Sequence, residues 1–196
     1  MDPRILILLI VAFIPSRIPG TFNEWIAYLG FFYLLIPLIL FRKELKDVGF
    51  KLPKSWRSTL VLLGVAVIMS FLGLLDESMR SYYPRFPYSG VYSFILGELK
   101  MGVVMFLHEA FFRGFLLFPL AKKNKWLGIL GQAIPYTILH VGKPPIEIPY
   151  SFFAGIVFAI IDLREESFLP SFVVHWLGSA FFDVLCILAS QHSILG

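Results

Sequence analysis

The chain of 196 residues is 58% hydrophobic and 15% charged, with a mean hydropathy of +0.78. A soluble domain of this size carries roughly 25% charged residues, so the composition excludes one and points to a single polytopic membrane domain. The net charge of +4 comes from lysines and arginines in short loops, with none of the basic–aromatic interleaving of single-strand binders, so no nucleic-acid partner is expected.

Apolar stretches recur at 5–19, 22–41, 58–75, 90–118, 126–141, 148–163 and 170–190. A transmembrane helix needs about 20 mostly apolar residues, so the expectation is an all-α bundle of about seven transmembrane spans. The first stretch follows Arg4, and the Ser-Arg-Ile-Pro-Gly after it is a poor signal-cleavage site. It reads as a retained first helix, short for a full span. The second stretch ends at Arg42-Lys43, and Lys46, Lys51, Lys54 and Arg57 follow in the loop. After the third, the loop at 76–89 carries Tyr82, Tyr83, Phe86 and Tyr88, which suits an interfacial aromatic belt. The fourth stretch is longer than a crossing requires and should tilt or project. Lys122, Lys123 and Lys125 come next. The positive-inside rule places loops 42–57 and 119–125 in the cytoplasm. Strict alternation then puts the N-terminus and 164–169 on the cytoplasmic side, with 76–89, 142–147 and the C-terminus opposite. Pro15, Pro37, Pro119, Pro135 and Pro170 fall at ends or kinks. The one cysteine, Cys186, lies in an apolar run and suits a small buried apolar role.

Three polar clusters interrupt these stretches. The first is His108-Glu109-Ala-Phe-Phe-Arg113. Charged groups at the centre of a span cost about 2.5–3.5 kcal/mol each on insertion scales, and Glu109 and Arg113, four apart, share a helix face and can neutralise each other. Such a pair can also do no more than knit helices together. The second cluster is Tyr136-Thr-Ile-Leu-His140, a phenol and an imidazole on one face, followed by Val141-Gly-Lys-Pro-Pro-Ile-Glu147. In the third, His175, Ser179 and Asp183 stand at i, i+4 and i+8 on one stripe, where Asp183 could hold Arg113 or a histidine. At 1.5 Å per residue, Glu109, His140 and His175 lie about 14, 21 and 8 Å from their cytoplasmic helix ends. They could therefore meet in the middle or cytoplasmic half of the bilayer. A carboxylate and two imidazoles suffice for hydrolysis by water: the carboxylate takes a proton from water, one imidazole positions that water, and another imidazole or a hydroxyl donates to the oxyanion.

These clusters, in this order on separate spans, resemble the CAAX protease and bacteriocin-processing (CPBP) family of intramembrane glutamic endopeptidases. That family carries Glu-Glu-x3-Arg, Phe-x3-His and His-x3-Asn. The matches here are His108-Glu109-x3-Arg113, Tyr136-x3-His140 and His175-x3-Ser179, joined by Phe112-Arg113-Gly114-Phe115. The resemblance covers about 90–190, which it marks as the catalytic core helices, leaving 1–89 as accessory helices. It implies a multi-pass integral membrane hydrolase, in the cytoplasmic membrane if the source is prokaryotic. Its activity would be intramembrane proteolysis of a membrane-associated or lipidated peptide substrate among membrane lipid. Glu109, His140 and His175 would be catalytic, and His108, Arg113, Ser179, Tyr136, Glu147 and Asp183 supporting. The chain departs from the pattern at its first position, where His108 stands in place of the water-activating glutamate. Glu147 or Asp183 could supply that carboxylate from another element, and Ser179 replaces the asparagine with a shorter donor.

No cofactor is required by this reading. Two alternatives stand beside it. His108, His140 and His175 could form a three-histidine zinc site with one open position. Alternatively, the same fold could serve as a non-catalytic membrane scaffold or immunity protein whose site has drifted.

Overall fold

Every apolar stretch becomes helical in the computed structural model, the first only in part; the structure describes residues 2–192. Those residues are 77% helical, and no strand occurs among them. The helices are α1 (Pro3–Val11), α2 (Phe22–Phe41), α3 (Arg57–Gly73), α4 (Glu77–Tyr82), α5 (Val91–Ala121), α6 (Lys125–Ile138), α7 (Glu147–Glu165) and α8 (Leu169–His192). The all-α expectation holds. Three of these helices, α2, α5 and α8, are long and apolar enough to cross a membrane, and α3 is apolar over 17 residues. The first stretch folds as the nine-residue α1 and a 3-10 turn, Pro15–Arg17.

Local signals set the helix ends. Thr21 and Glu24 form a reciprocal capping box at the start of α2. Asn124 accepts from the Trp126 and Leu127 amides to start α6. Pro135 sits inside α6. Both α2 and α5 widen into π-helix, at Gly30–Leu35 and Ala110–Leu117. The two wide segments meet where Tyr33 stacks on Phe111 at 4.3 Å between ring centroids. The Tyr33 hydroxyl donates to the Ala12 carbonyl at 2.5 Å, tying α1 into the same core.

Polarity is distributed as a bilayer requires. Large apolar side chains such as Leu60, Val61, Ile68 and Phe153 are more than 60% exposed, while Glu109, Arg113 and Asp162 are 0% exposed. With lipid outside, burial of apolar area cannot drive helix association, and close packing must. A β-carbon on Gly102 would lie 2.6 Å from Trp176, so glycine lets α5 and α8 approach. Phe86 packs the same way against Gly97, so it turns inward instead of joining an aromatic belt, while Tyr88 remains exposed.

The loops sort to two ends. At one, Lys51 and Lys54 both reach Glu166 at 2.7 Å, Lys122 pairs with Asp47 at 3.2 Å, and Arg4 pairs with Glu44 at 2.8 Å. Glu166 lies outside the spans, and those two lysines hold its carboxyl down to about 2. At the other end the 76–89 loop meets the start of α7, where the Tyr83 hydroxyl donates to Glu147 at 2.8 Å.

Candidate active site

Glu109 and Arg113 stand four positions apart, and the pairing expected from that spacing is present. Arg113 Nε lies 3.1 Å from Glu109 Oε2 with both side chains fully buried. The contact is an ion pair without hydrogen-bond alignment, since Glu109 Oε2 and all three guanidinium nitrogens lack hydrogen-bond partners. The guanidinium instead lies over the Tyr136 ring at 4.1 Å and beside Phe158 at 5.9 Å, which supplies cation–π stabilisation in place of water. The other carboxylate oxygen, Oε1, accepts from His175 Nδ1 at 2.7 Å. The first and third sequence clusters therefore meet directly, across 66 residues of chain.

The hydrogen bonds assign the imidazole tautomers. His108 Nδ1 faces the Val104 carbonyl at 2.8 Å and His140 Nδ1 faces the Tyr136 carbonyl at 2.9 Å. An imidazole nitrogen opposite a carbonyl or carboxylate must be the donor. Each neutral ring therefore keeps a lone pair on Nε2. All three histidines line one cavity of about 370 Å³. Tyr136 packs against His140, with ring centroids 4.7 Å apart. His108 is steered by Tyr33, edge-on at 5.2 Å, and by Trp25 at 6.1 Å. The N-terminal helices thus build a wall of this cavity together with Leu29, Met101 and Met105.

The rim carries a second ionic group. Glu147 Oε1 accepts from Lys143 Nζ at 2.8 Å, Oε2 accepts from Tyr83, and Oε1 lies 3.6 Å from His140 Nε2. That last separation is too long for a direct hydrogen bond. Lys143 follows Gly142, whose φ of +96° is open to glycine at no steric cost, and its amide donates to the His140 carbonyl at 3.1 Å. Burial pushes the Lys143 ammonium below the usual lysine range, against the opposing pull of Glu147. Burial likewise raises the Tyr83 phenol. Formal charges balance in two pairs, Glu109 with Arg113 and Glu147 with Lys143, so no imidazole is required to be charged.

Several expected residues converge and others do not. Ser179 lines the cavity with His175, whereas Asp183, one turn further along α8, lies beside Glu98 and holds neither Arg113 nor a histidine. The stripe stays straight while the cavity ends, so the third member of the i, i+4, i+8 set falls outside it. No single carboxylate reaches both His140 and His175: Glu109 takes the latter, and Glu147 stands near the former. Glu109 itself does not line the cavity. The cavity extends to the 76–89 and 142–147 loops, through Tyr82, Tyr83, Arg85 and Lys143, and so reaches the end away from the basic loops. Residues not foreseen from the sequence include Tyr83 and Lys143, both in loops. Asp162 is another; it is fully buried and accepts from the Ser171 hydroxyl at 2.6 Å and amide at 3.2 Å. An aspartate inside the apolar stretch 148–163 was the available signal. Among the described residues no three His, Cys, Asp or Glu side chains are grouped closely enough to hold a metal ion.

No curated protein and no solved structure gives a significant match to the chain. Residues 90–181, which carry all three motifs, match the family model described as type II CAAX prenyl endopeptidase, Rce1-like, so the resemblance drawn from the motifs holds over that region.

Proposed function

We propose that the chain is a membrane-embedded endopeptidase that hydrolyses a peptide bond of a membrane-associated or lipidated peptide, with His175 as the base. The Glu109–His175 contact at 2.7 Å carries this reading, because it leaves the opposite ring nitrogen free in a cavity shared with two further imidazoles. A carboxylate bonded to Nδ1–H fixes the tautomer and stabilises the imidazolium that forms when Nε2 takes a proton. Glu109, with Arg113 against one oxygen and His175 on the other, suits that orienting role better than direct proton abstraction.

The reaction balances as follows. Water bonds to the carbonyl carbon and gives its proton to His175 Nε2, while the π electrons move onto the carbonyl oxygen. Collapse of that oxyanion expels the amine nitrogen with the C–N electron pair, and the imidazolium returns the proton to it. The water's remaining hydrogen is accepted by the lone pair of His108 or His140, which line the same cavity. The apolar wall of Trp25, Tyr33, Met101 and Met105 suits a greasy substrate chain.

We place the chain as a multi-pass integral membrane protein with the N-terminus and basic loops in the cytoplasm, so that substrate enters from the opposite side. The test is the full chain in detergent or lipid nanodiscs, offered membrane-compatible peptides with and without prenyl groups. His175→Ala lowers cleavage by the folded fraction about 10²–10⁴-fold, and lowers the unfolding midpoint because the buried Glu109 Oε1 loses its donor. Absence of cleavage by the wild type across the panel would instead favour a non-catalytic scaffold. A zinc reading finds no support in the geometry, because among the described residues no three His, Cys, Asp or Glu side chains are grouped closely enough to hold a metal ion. Loss of activity on chelation, restored by zinc, would nonetheless establish it.

A further inference from the structure

Hydrolysis needs a donor for the oxygen that becomes negative, and the imidazoles do not supply one. Each spends its N–H on the protein, on the Val104 carbonyl, the Tyr136 carbonyl or the Glu109 carboxylate, and keeps only an acceptor nitrogen for a ligand. The Tyr83 hydroxyl is spent on Glu147. Arg85 is exposed and held against Tyr82, by a hydrogen bond to its hydroxyl and by its ring at 4.5 Å. Ser179 offers a neutral hydroxyl. Lys143 is left as the half-buried cation lining the same space as the three histidines, with one of its three N–H groups committed to Glu147.

We propose, resting on the endopeptidase reading above, that Lys143 is a catalytic residue whose ammonium holds the oxyanion of the tetrahedral intermediate. Glu147 and Tyr83 are positioning residues for it. The placement follows from the chain. The Lys143 amide is hydrogen-bonded to the His140 carbonyl, Pro144 and Pro145 stiffen the backbone behind it, and Glu147 one helical turn on holds its Nζ at 2.8 Å. The Tyr83 bond to the second Glu147 oxygen fixes the carboxylate against rotation. A preorganised charged donor in a site of low polarity acts more strongly on the developing charge than on the neutral carbonyl, so its effect belongs in kcat.

The experiment compares Lys143→Met, Lys143→Arg and Lys143→Ala with the wild-type full chain on one cleaved peptide, and measures binding of a phosphinate analogue of that peptide. Lys143→Met is expected to lower kcat by about 10²–10³-fold with KM changed by less than about threefold, and to weaken the phosphinate by a similar factor. Lys143→Arg retains part of kcat, and a small primary alkylammonium partly rescues Lys143→Ala. A structural clasp would behave otherwise: Lys143→Met would unfold at lower temperature, keep the wild-type kcat in the folded fraction and ignore added amine. That result, with His175→Ala still inactive, overturns the role of Lys143 and leaves the endopeptidase reading intact. If wild type cleaves no peptide, both fall together.

Discussion

Glu109, Arg113 and His175 act as one unit, and the two charges of that unit are wholly removed from solvent. Taking away one member of a buried ion pair leaves the other uncompensated, at a cost of about 3–5 kcal/mol. Glu109→Gln is therefore expected to lose about that much stability, measured by denaturation in detergent. Glu109→Gln combined with Arg113→Met should recover most of the loss, because no naked charge remains, while cleavage stays low because His175 loses its carboxylate. At the rim, Lys143 faces Glu147, Arg85 and His140, and burial lowers the affinity of its ammonium for the proton. A lysine with a lowered pKa loses its charge earlier as pH rises. The alkaline limb of kcat is accordingly expected below the ordinary lysine value of 10.5, and Lys143→Arg moves it upward. A limb that does not move in the arginine variant would detach it from Lys143.

Spacing on a single helix was legible at the level of elements, because contacts between i and i+4 depend only on helical geometry. The Glu109–Arg113 pair and the Tyr136–His140 packing were both readable for that reason. Partners between helices were not. Asp183 has the right period for the His175 stripe, yet its neighbour Glu98 belongs to α5. The aromatic 76–89 loop shows the same limit, since its composition suits a membrane interface but Phe86 finds a glycine-made gap on α5. A β-carbon on Gly97 would lie 2.2 Å from the Phe86 ring, so Gly97→Ala must displace it. The expected cost is about 1–3 kcal/mol of overpacking, seen as a lower unfolding midpoint. Phe86→Leu in the same chain should relieve part of it. An unchanged midpoint for Gly97→Ala would mean that the ring moves freely and does not anchor the loop.

Across the whole molecule, the basic loops gather at one end and the catalytic candidates communicate with the other. Membrane-impermeant thiol labelling tests the proposed orientation in intact cells, using single cysteines in a Cys186→Ala background. A cysteine at Arg85 should label from outside and one at Lys46 only after permeabilisation; the reverse pattern would turn the molecule over and place its substrate in the cytoplasm. The amino-acid sequence by itself determined the all-α class, the apolar stretches and the three motifs, because hydropathy and helical period are properties of neighbours along the chain. Only the tertiary structure decided that Glu109 turns to His175, that Glu147 and Tyr83 close on Lys143, and that Asp183 stands apart. Those contacts depend on how helices rotate against one another in a bilayer, where close packing sets the rotation and no pattern within one helix encodes it.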